Sequence, residues 1–148
     1  EDCIKGVEKY NGFKERFEIK RINNTLTIIN DAYNANPASM KMSLNTFNEL
    51  WGKRKDIKKI LVLGDMKELG SVSNQEHKKI ADIVNSMDVD YIIYFGEYSK
   101  YFKGVTSCSS VEDVIESLKK NIKKEENTVV LLKGSNSQKL YTIPELLN

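Results

Sequence analysis

The sequence predicts an α/β domain: a mostly parallel sheet of about six strands, entered by an N-terminal antiparallel hairpin and covered by helices on both faces. Three observations lead there. The runs Leu26–Ile29, Ile60–Leu63, Tyr91–Phe95 and Val129–Leu132 are continuously apolar or nearly so, the pattern of strands buried on both faces. Segments of helical period separate them after the first. The first run instead follows an alternating segment and an Asn23-Asn24 turn signal, which predicts a hairpin.

Taken in order, residues 1–15 read as an entry segment and 16–148 as one domain. Arg16-Phe17-Glu18-Ile19-Lys20-Arg21-Ile22 alternates as a strand, and Leu26–Ile29 returns beside it. A helix is expected from about Ala38 to Trp51, because Met40, Leu44, Phe47 and Trp51 fall on one helical face. Lys59–Gly64 is a buried strand that runs into the glycine-bracketed loop Asp65–Gly70. Ser73 and Glu76 have the spacing of a capping box, opening a helix that carries Ile80, Ile83, Val84 and Met87. Tyr91–Phe95 is a strand stopped by Gly96, and Gly104–Cys108 a weaker one. Ser109 or Ser110 caps a helix with Val111, Val114, Ile115, Leu118 and Ile122 in step. Thr128–Leu132 is the last strand, followed by the turn Lys133-Gly134-Ser135 and a short helix from about Leu140 to Leu147. The whole is a three-layer, Rossmann-like arrangement.

Bulk properties narrow the function. A chain of 148 residues with 40% hydrophobic and 30% charged side chains has enough apolar material for one cored domain. The net charge is +2 and the lysines are dispersed, which disfavours a nucleic-acid surface. No segment reaches the roughly 18–20 apolar residues of a membrane span. The opening Glu1-Asp2-Cys3-Ile4 lacks an initiator Met and a leader pattern, so a fragment or processed chain without a signal peptide is expected. Cys3 and Cys108 form no disulfide framework, and free thiols in a reducing cytosol are expected. One histidine, His77, makes a zinc site improbable; on its helix it reads as a residue packed beside the core.

The chemistry gathers at strand ends. In such a sheet ligands bind at the C-terminal edge. Asn30 and Asp31, then Asp65, then Lys133 and Ser135 follow three buried strands, and all are expected to face one crevice. The run Asn30-Asp31-Ala32-Tyr33-Asn34-Ala35-Asn36-Pro37 is the most unusual: an acid, a phenol and amides where a brief turn is normal. Asn34 and Asn36 also suit loop stabilisation through their own backbone. The sequence has neither a Gly-x-x-x-x-Gly-Lys-Ser/Thr loop nor a Gly-x-Gly-x-x-Gly turn after the first strand, so this domain alone is not expected to hold a triphosphate. Asp31, Asp65 and Lys133 loosely imitate a phospho-receiver signalling domain, and a non-catalytic binding module of the same fold also stays open.

Four motifs in order resemble the C-terminal domain of the Mur ligases: Arg16-Phe17-Glu18; Asn30-Asp31-Ala32-Tyr33-Asn34-Ala35-Asn36-Pro37-Ala38-Ser39-Met40; Val62-Leu63-Gly64-Asp65-Met66-Lys67-Glu68-Leu69-Gly70 with His77; and Leu131-Leu132-Lys133-Gly134-Ser135. The pattern is most similar to that of the family members that add D-Ala-D-Ala to UDP-N-acetylmuramoyl-tripeptide; the terminal domain of folate polyglutamate ligases, which lacks Tyr-Asn-Ala-Asn-Pro, fits less well. Three departures stand out: Asn30 replaces the first acid of a pair, Ala32 a small hydroxyl residue, and Asn136 a frequent Arg.

The resemblance implies a cytoplasmic, monomeric, ATP-dependent ligase of peptidoglycan synthesis, in which this domain follows two others and closes over the nucleotide. It implies ATP contacts by Arg16, Asp31, Tyr33, Asn34 and Asn36, and contacts with the dipeptide or acyl end by Asp65, Lys133 and Ser135. It places no catalytic residue and no metal ligand in this domain; Mg2+ is expected mainly on the preceding one.

Overall fold

A computed structural model describes residues 17–147. The hairpin forms as expected, β1 (Glu18–Arg21) pairing antiparallel with β2 (Leu26–Asn30) so that Glu18 lies opposite Asn30. Helix α1 (Pro37–Trp51) follows, then β3 (Lys58–Gly64), α2 (Ser73–Asn85), β4 (Tyr91–Phe95), β5 (Val105–Cys108), α3 (Val111–Asn121), β6 (Thr128–Lys133) and a short α4 (Ile143–Leu146). The strand order is β1-β2-β6-β3-β4-β5, and every pairing after the hairpin is parallel. The last strand in the chain therefore lies between the second and third.

Alternation along the strands divides the interior into two layers. Ile29, Leu61, Leu63, Val129, Leu131 and Tyr94 pack on one face with Met40, Leu44, Phe47 and Trp51 of α1 and Ile80, Ala81 and Val84 of α2. Ile28, Ile60, Val62, Ile93, Val130 and Leu132 pack on the other with Val114 and Leu118 of α3, Leu140 and Ile143. The edge strands are blunted, as Lys20, Arg21, Thr106 and Ser107 are exposed. Among the described residues no helix is long and apolar enough to cross a membrane.

Helix boundaries show what the one-dimensional pattern hides. The N-cap of α1 is Asn36: its side chain accepts from the Ser39 N–H at 2.8 Å, while the Ser39 hydroxyl accepts from the Asn36 N–H at 3.0 Å. Pro37 follows at the position where its missing N–H costs nothing. Ser110 caps α3 by accepting from the Asp113 N–H. The capping box expected at Ser73 and Glu76 does not form. A 3-10 turn, Gly70–Val72, runs directly into α2, so Ser73 is already helical and its hydroxyl contacts Tyr98 instead. The expected C-terminal helix is a 3-10 turn, Leu140–Thr142, followed by the single turn of α4.

Replacing Asn36 by Ala removes the side-chain bond of the α1 capping box and leaves the Ser39 N–H without its acceptor, while the bond from the backbone N–H of residue 36 to the Ser39 hydroxyl is retained. The expected cost is about 1 kcal/mol, read as a lower urea midpoint at unchanged slope. An unshifted midpoint would mean that the cap contributes nothing.

Candidate functional site

At the C-terminal edge, β2 and β6 end side by side, and the Asp31 N–H donates to the Leu132 carbonyl at 3.0 Å. The Lys133 Nζ lies 3.3 Å from Asp31 Oδ2, with side-chain exposures of 2% and 6%. The same Oδ2 accepts a short hydrogen bond from the Ser43 hydroxyl on α1. A cavity of about 670 Å³ opens beside this group, lined by Phe17, Asp31, Asn36, Met42, Ser43 and Lys133 among others. Its wall is largely one side of α1, so the capped helix sets the distance between the polar floor and the apolar flank.

The rest of the polar run is held by local bonds. Asn34 is exposed and its Oδ1 accepts from the Ala35 N–H at 2.9 Å. Asn36 commits its Oδ1 to the helix cap. Tyr33 stacks on Tyr141, with ring centroids 5.2 Å apart and planes 18° apart. Asn30 is buried; its Nδ2 donates to the Tyr141 carbonyl at 3.0 Å while its Oδ1 has no partner. An amide can make the bond to Tyr141 and an ionised acid cannot, which fits Asn at the position where the resemblance has a carboxylate.

Two expected members stand apart from this group. Asp65 does not share the crevice of Asp31 and Lys133. Its Oδ1 accepts from the Tyr94 hydroxyl at 2.6 Å, and both its oxygens lie within 3.2 Å of the Glu97 N–H. The cause is the tight approach of the next loop: a Cβ on Gly96, whose φ is +149°, would fall 2.3 Å from Asp65 Oδ1. Burial, and then the bond to Asp65, push the Tyr94 phenol far above its ordinary range. Ser135 is buried and its hydroxyl serves a turn with Ser137 and Gln138. Arg16 lies outside the described residues.

The sequence reading missed Ser43, Tyr141 and Gln138. Ser43 had a signal, being a hydroxyl set among the core positions Met40, Leu44 and Phe47. Gln138 had none. Its amide donates to the Phe95 carbonyl at 2.8 Å, and a Cβ on Gly64 would come within 2.2 Å of its oxygen.

His77 is buried as expected and anchors the Asp65–Gly70 loop. Its Nε2 accepts from the Met66 N–H at 2.8 Å and its Nδ1 donates to the Ser73 carbonyl at 2.7 Å, which selects the neutral Nδ1–H tautomer. Tyr98 stacks over the ring at 3.7 Å. Burial lowers its affinity for a second proton, opposed in part by the Ser73 carbonyl and by Asp65. Among the described residues no group of three or more His, Cys, Asp or Glu side chains is placed to hold a metal ion.

The family model described as Mur ligase, glutamate ligase domain, matches residues 15–136. The chain belongs to the Mur ligase family. It is 32% identical, over 97% of its length, to the UDP-N-acetylmuramoyl-tripeptide--D-alanyl-D-alanine ligase of Bacillus subtilis, of which it covers 32%. The crystal structure of MurF from Acinetobacter baumannii superposes with a TM-score of 0.79 at 26% identity, covering 97% of this chain and 32% of that one. MurF ligase from Thermotoga maritima in complex with ADP gives 0.72 at 25% identity, covering 89% and 30%. The chain thus spans about a third of the length of these relatives, and it corresponds to the C-terminal domain of a Mur ligase. Membership in this family displaces the receiver-like alternative.

His77, the chain's only histidine, gives this Mur ligase domain a pH dependence with a definite sign. The unfolded chain takes up the proton near the ordinary value and the folded chain only at lower pH. Stability is therefore full above about pH 6.5 and falls as pH drops from there toward the folded-state value, by up to about 1.4 kcal/mol per unit of displacement. Denaturation midpoints at pH 7.5 and 5.5 should show the loss, and His77→Gln should flatten it. Equal pH dependence in both proteins would refute the assignment.

Proposed function

We propose that this chain works as the C-terminal domain of an ATP-dependent ligase that joins D-Ala-D-Ala to UDP-N-acetylmuramoyl-tripeptide. The observation that carries this reading is the 32% identity to a ligase of that name across almost the whole chain. The ADP bound to the Thermotoga maritima relative supports nucleotide use. In this reading residues 16–148 form the domain, residues 1–15 lead in from a preceding one, and the enzyme acts as a cytoplasmic monomer.

The chemistry runs through an acyl phosphate. The peptide carboxylate attacks the γ-phosphorus of ATP and ADP leaves; the dipeptide amine then attacks the acyl carbon and inorganic phosphate leaves. Both steps need reactants brought together and negative charge neutralised more than they need proton transfer from this domain. No residue here is assigned to the reacting atoms. The domain closes over the nucleotide, with Asp31 accepting from ribose hydroxyls and Tyr33 and Asn34 beside the base. Asn36 has its oxygen in the α1 cap, so a ligand would meet its Nδ2. Arg16 is assigned to the phosphates, where a planar guanidinium suits paired oxygens. Lys133 and Ser135 are assigned to the acceptor dipeptide. Asp65 acts through the Gly96–Glu97 turn that it holds. Mg2+ is assigned to the preceding domain, whose phosphate loop this chain lacks.

The pairing of Lys133 with Asp31 gives this assignment a physical consequence. A nucleotide-side residue and a dipeptide-side residue share one buried charge pair, so in this reading the two subsites adjoin where β2 and β6 end.

In the full-length ligase, ADP release dependent on both UDP-N-acetylmuramoyl-tripeptide and D-Ala-D-Ala is expected. Asp31→Ala and Arg16→Ala should each lower kcat/KM at least about tenfold, corresponding to about 1.4 kcal/mol of lost transition-state stabilisation. Unchanged rates in both would overturn the site assignment. Calorimetric titration of the present chain with ATP should give binding weaker than about micromolar, or about −8 kcal/mol. Sub-micromolar affinity would contradict a domain that needs its neighbour to hold the phosphates.

A further inference from the structure

We infer that Ser43 is a positioning residue for the nucleotide, acting through Asp31. The inference rests on the reading of Asp31 as the ribose-facing carboxylate. It deepens that reading by assigning a residue that none of the motifs contains.

Asp31 Oδ2 accepts a hydrogen bond from the Ser43 hydroxyl and is ion-paired with the Lys133 ammonium at 3.3 Å. Its Oδ1 has no hydrogen-bond partner among the described residues, and Asp31 lines the cavity. A carboxylate's terminal torsion is soft and roughly two-fold, so without restraint the two oxygens exchange places easily. A charge pair with a flexible lysine constrains distance more than direction. A hydroxyl on a helix is different. Ser43 is 3% exposed and sits on α1 between core residues Met40, Leu44 and Phe47, so its Cβ is fixed by packing. A hydrogen bond from a rigid element and an ion pair, both on Oδ2, leave Oδ1 as the acceptor for ligand hydroxyls at the cavity.

A buried serine must hydrogen-bond somewhere, and helix serines often bond a carbonyl four residues back. Here the hydroxyl instead donates to a charged group on another element, twelve residues away in sequence. That bond costs the helix nothing and fixes a group at the cavity wall.

The test compares Ser43→Ala, Ser43→Thr and Ser43→Val in the full-length ligase, with Asp31→Asn alongside. Thr and Val match in volume and differ by the hydroxyl. Ser43→Ala and Ser43→Val should raise the KM for ATP about three- to tenfold, the effect of losing one hydrogen bond. The kcat and the KM for D-Ala-D-Ala should stay within about twofold, and Ser43→Thr should restore the wild-type KM for ATP. Equal KM values for the Thr and Val variants would overturn the inference, as would a fall in thermal midpoint with all kinetic constants moving together. If Asp31→Asn leaves the KM for ATP unchanged, the ribose assignment itself fails. If Asp31→Asn raises it and Ser43→Ala does not, only the role of Ser43 fails.

Discussion

Burial of the sheet on both faces governs the rest of this structure. In β6, Val129 and Leu131 go into one layer and Val130 and Leu132 into the other, all out of contact with solvent. A strand so placed favours apolar side chains along its middle, and β6 carries its polar residues, Thr128 and Lys133, at its two ends. Polar groups are displaced to where the strands stop, and the C-terminal edge receives Asn30, Asp31, Asp65 and Lys133. These remain within the packed layers and are themselves buried, so each has to find a partner. The binding edge is in this sense a by-product of the core.

The partnerships found are of two kinds. Asp31 and Lys133 pair across adjacent strands with Ser43 as third member. A buried ion pair of this type is weak evidence for stability, since the desolvation of both charges offsets their attraction. Its value is positional: it ties the end of β2 to the end of β6. On the other side of β3, hydrogen bonds from uncharged donors do the same work. Asp65 takes the Tyr94 hydroxyl and the Glu97 N–H, and His77 takes the Met66 N–H. The loops after β3 and β4 are thereby joined into one block, while the loop after β2 is joined to the C-terminal segment through Asn30 and the Tyr33–Tyr141 stack. Groups held this way are arranged before a ligand arrives, which is the form that positioning catalysis requires.

Much of this was legible in the chain. Periodicity placed the strands and the helical faces, because burial on two sides and amphipathic packing leave direct traces in residue type. Met40, Leu44, Phe47 and Trp51 were readable as one buried face for that reason. Asp31 and Lys133 were readable as neighbours, since parallel strands bring their ends together. What stayed hidden depended on direction rather than type. Ser73 fits a capping box by spacing, yet a 3-10 turn starting at Gly70, φ +57°, carries the helix back one turn and moves Ser73 inside it. Asp65 ends its strand like Asp31, but the close approach of Gly96 turns it to the neighbouring loop. Asn36 supplies the cap of α1, a duty that its place in a ligand-like run obscured. Tyr141 and Gln138 act across long sequence separations, which no local pattern records.

The strand that joins the two halves of the sheet, β6, is the last strand in sequence order among the described residues. Without β6, β1-β2 and β3-β4-β5 share no strand pairing, and β2 and β3 each have an unpaired edge where β6 lies. Such edges invite pairing with other chains. Insertion of β6 closes both edges at once, and Lys133, the final residue of that strand, brings the charge that Asp31 needs. One strand thus both completes the sheet and assembles the binding edge, and a domain deprived of it would present two pairing-prone edges and an Asp31 without its lysine.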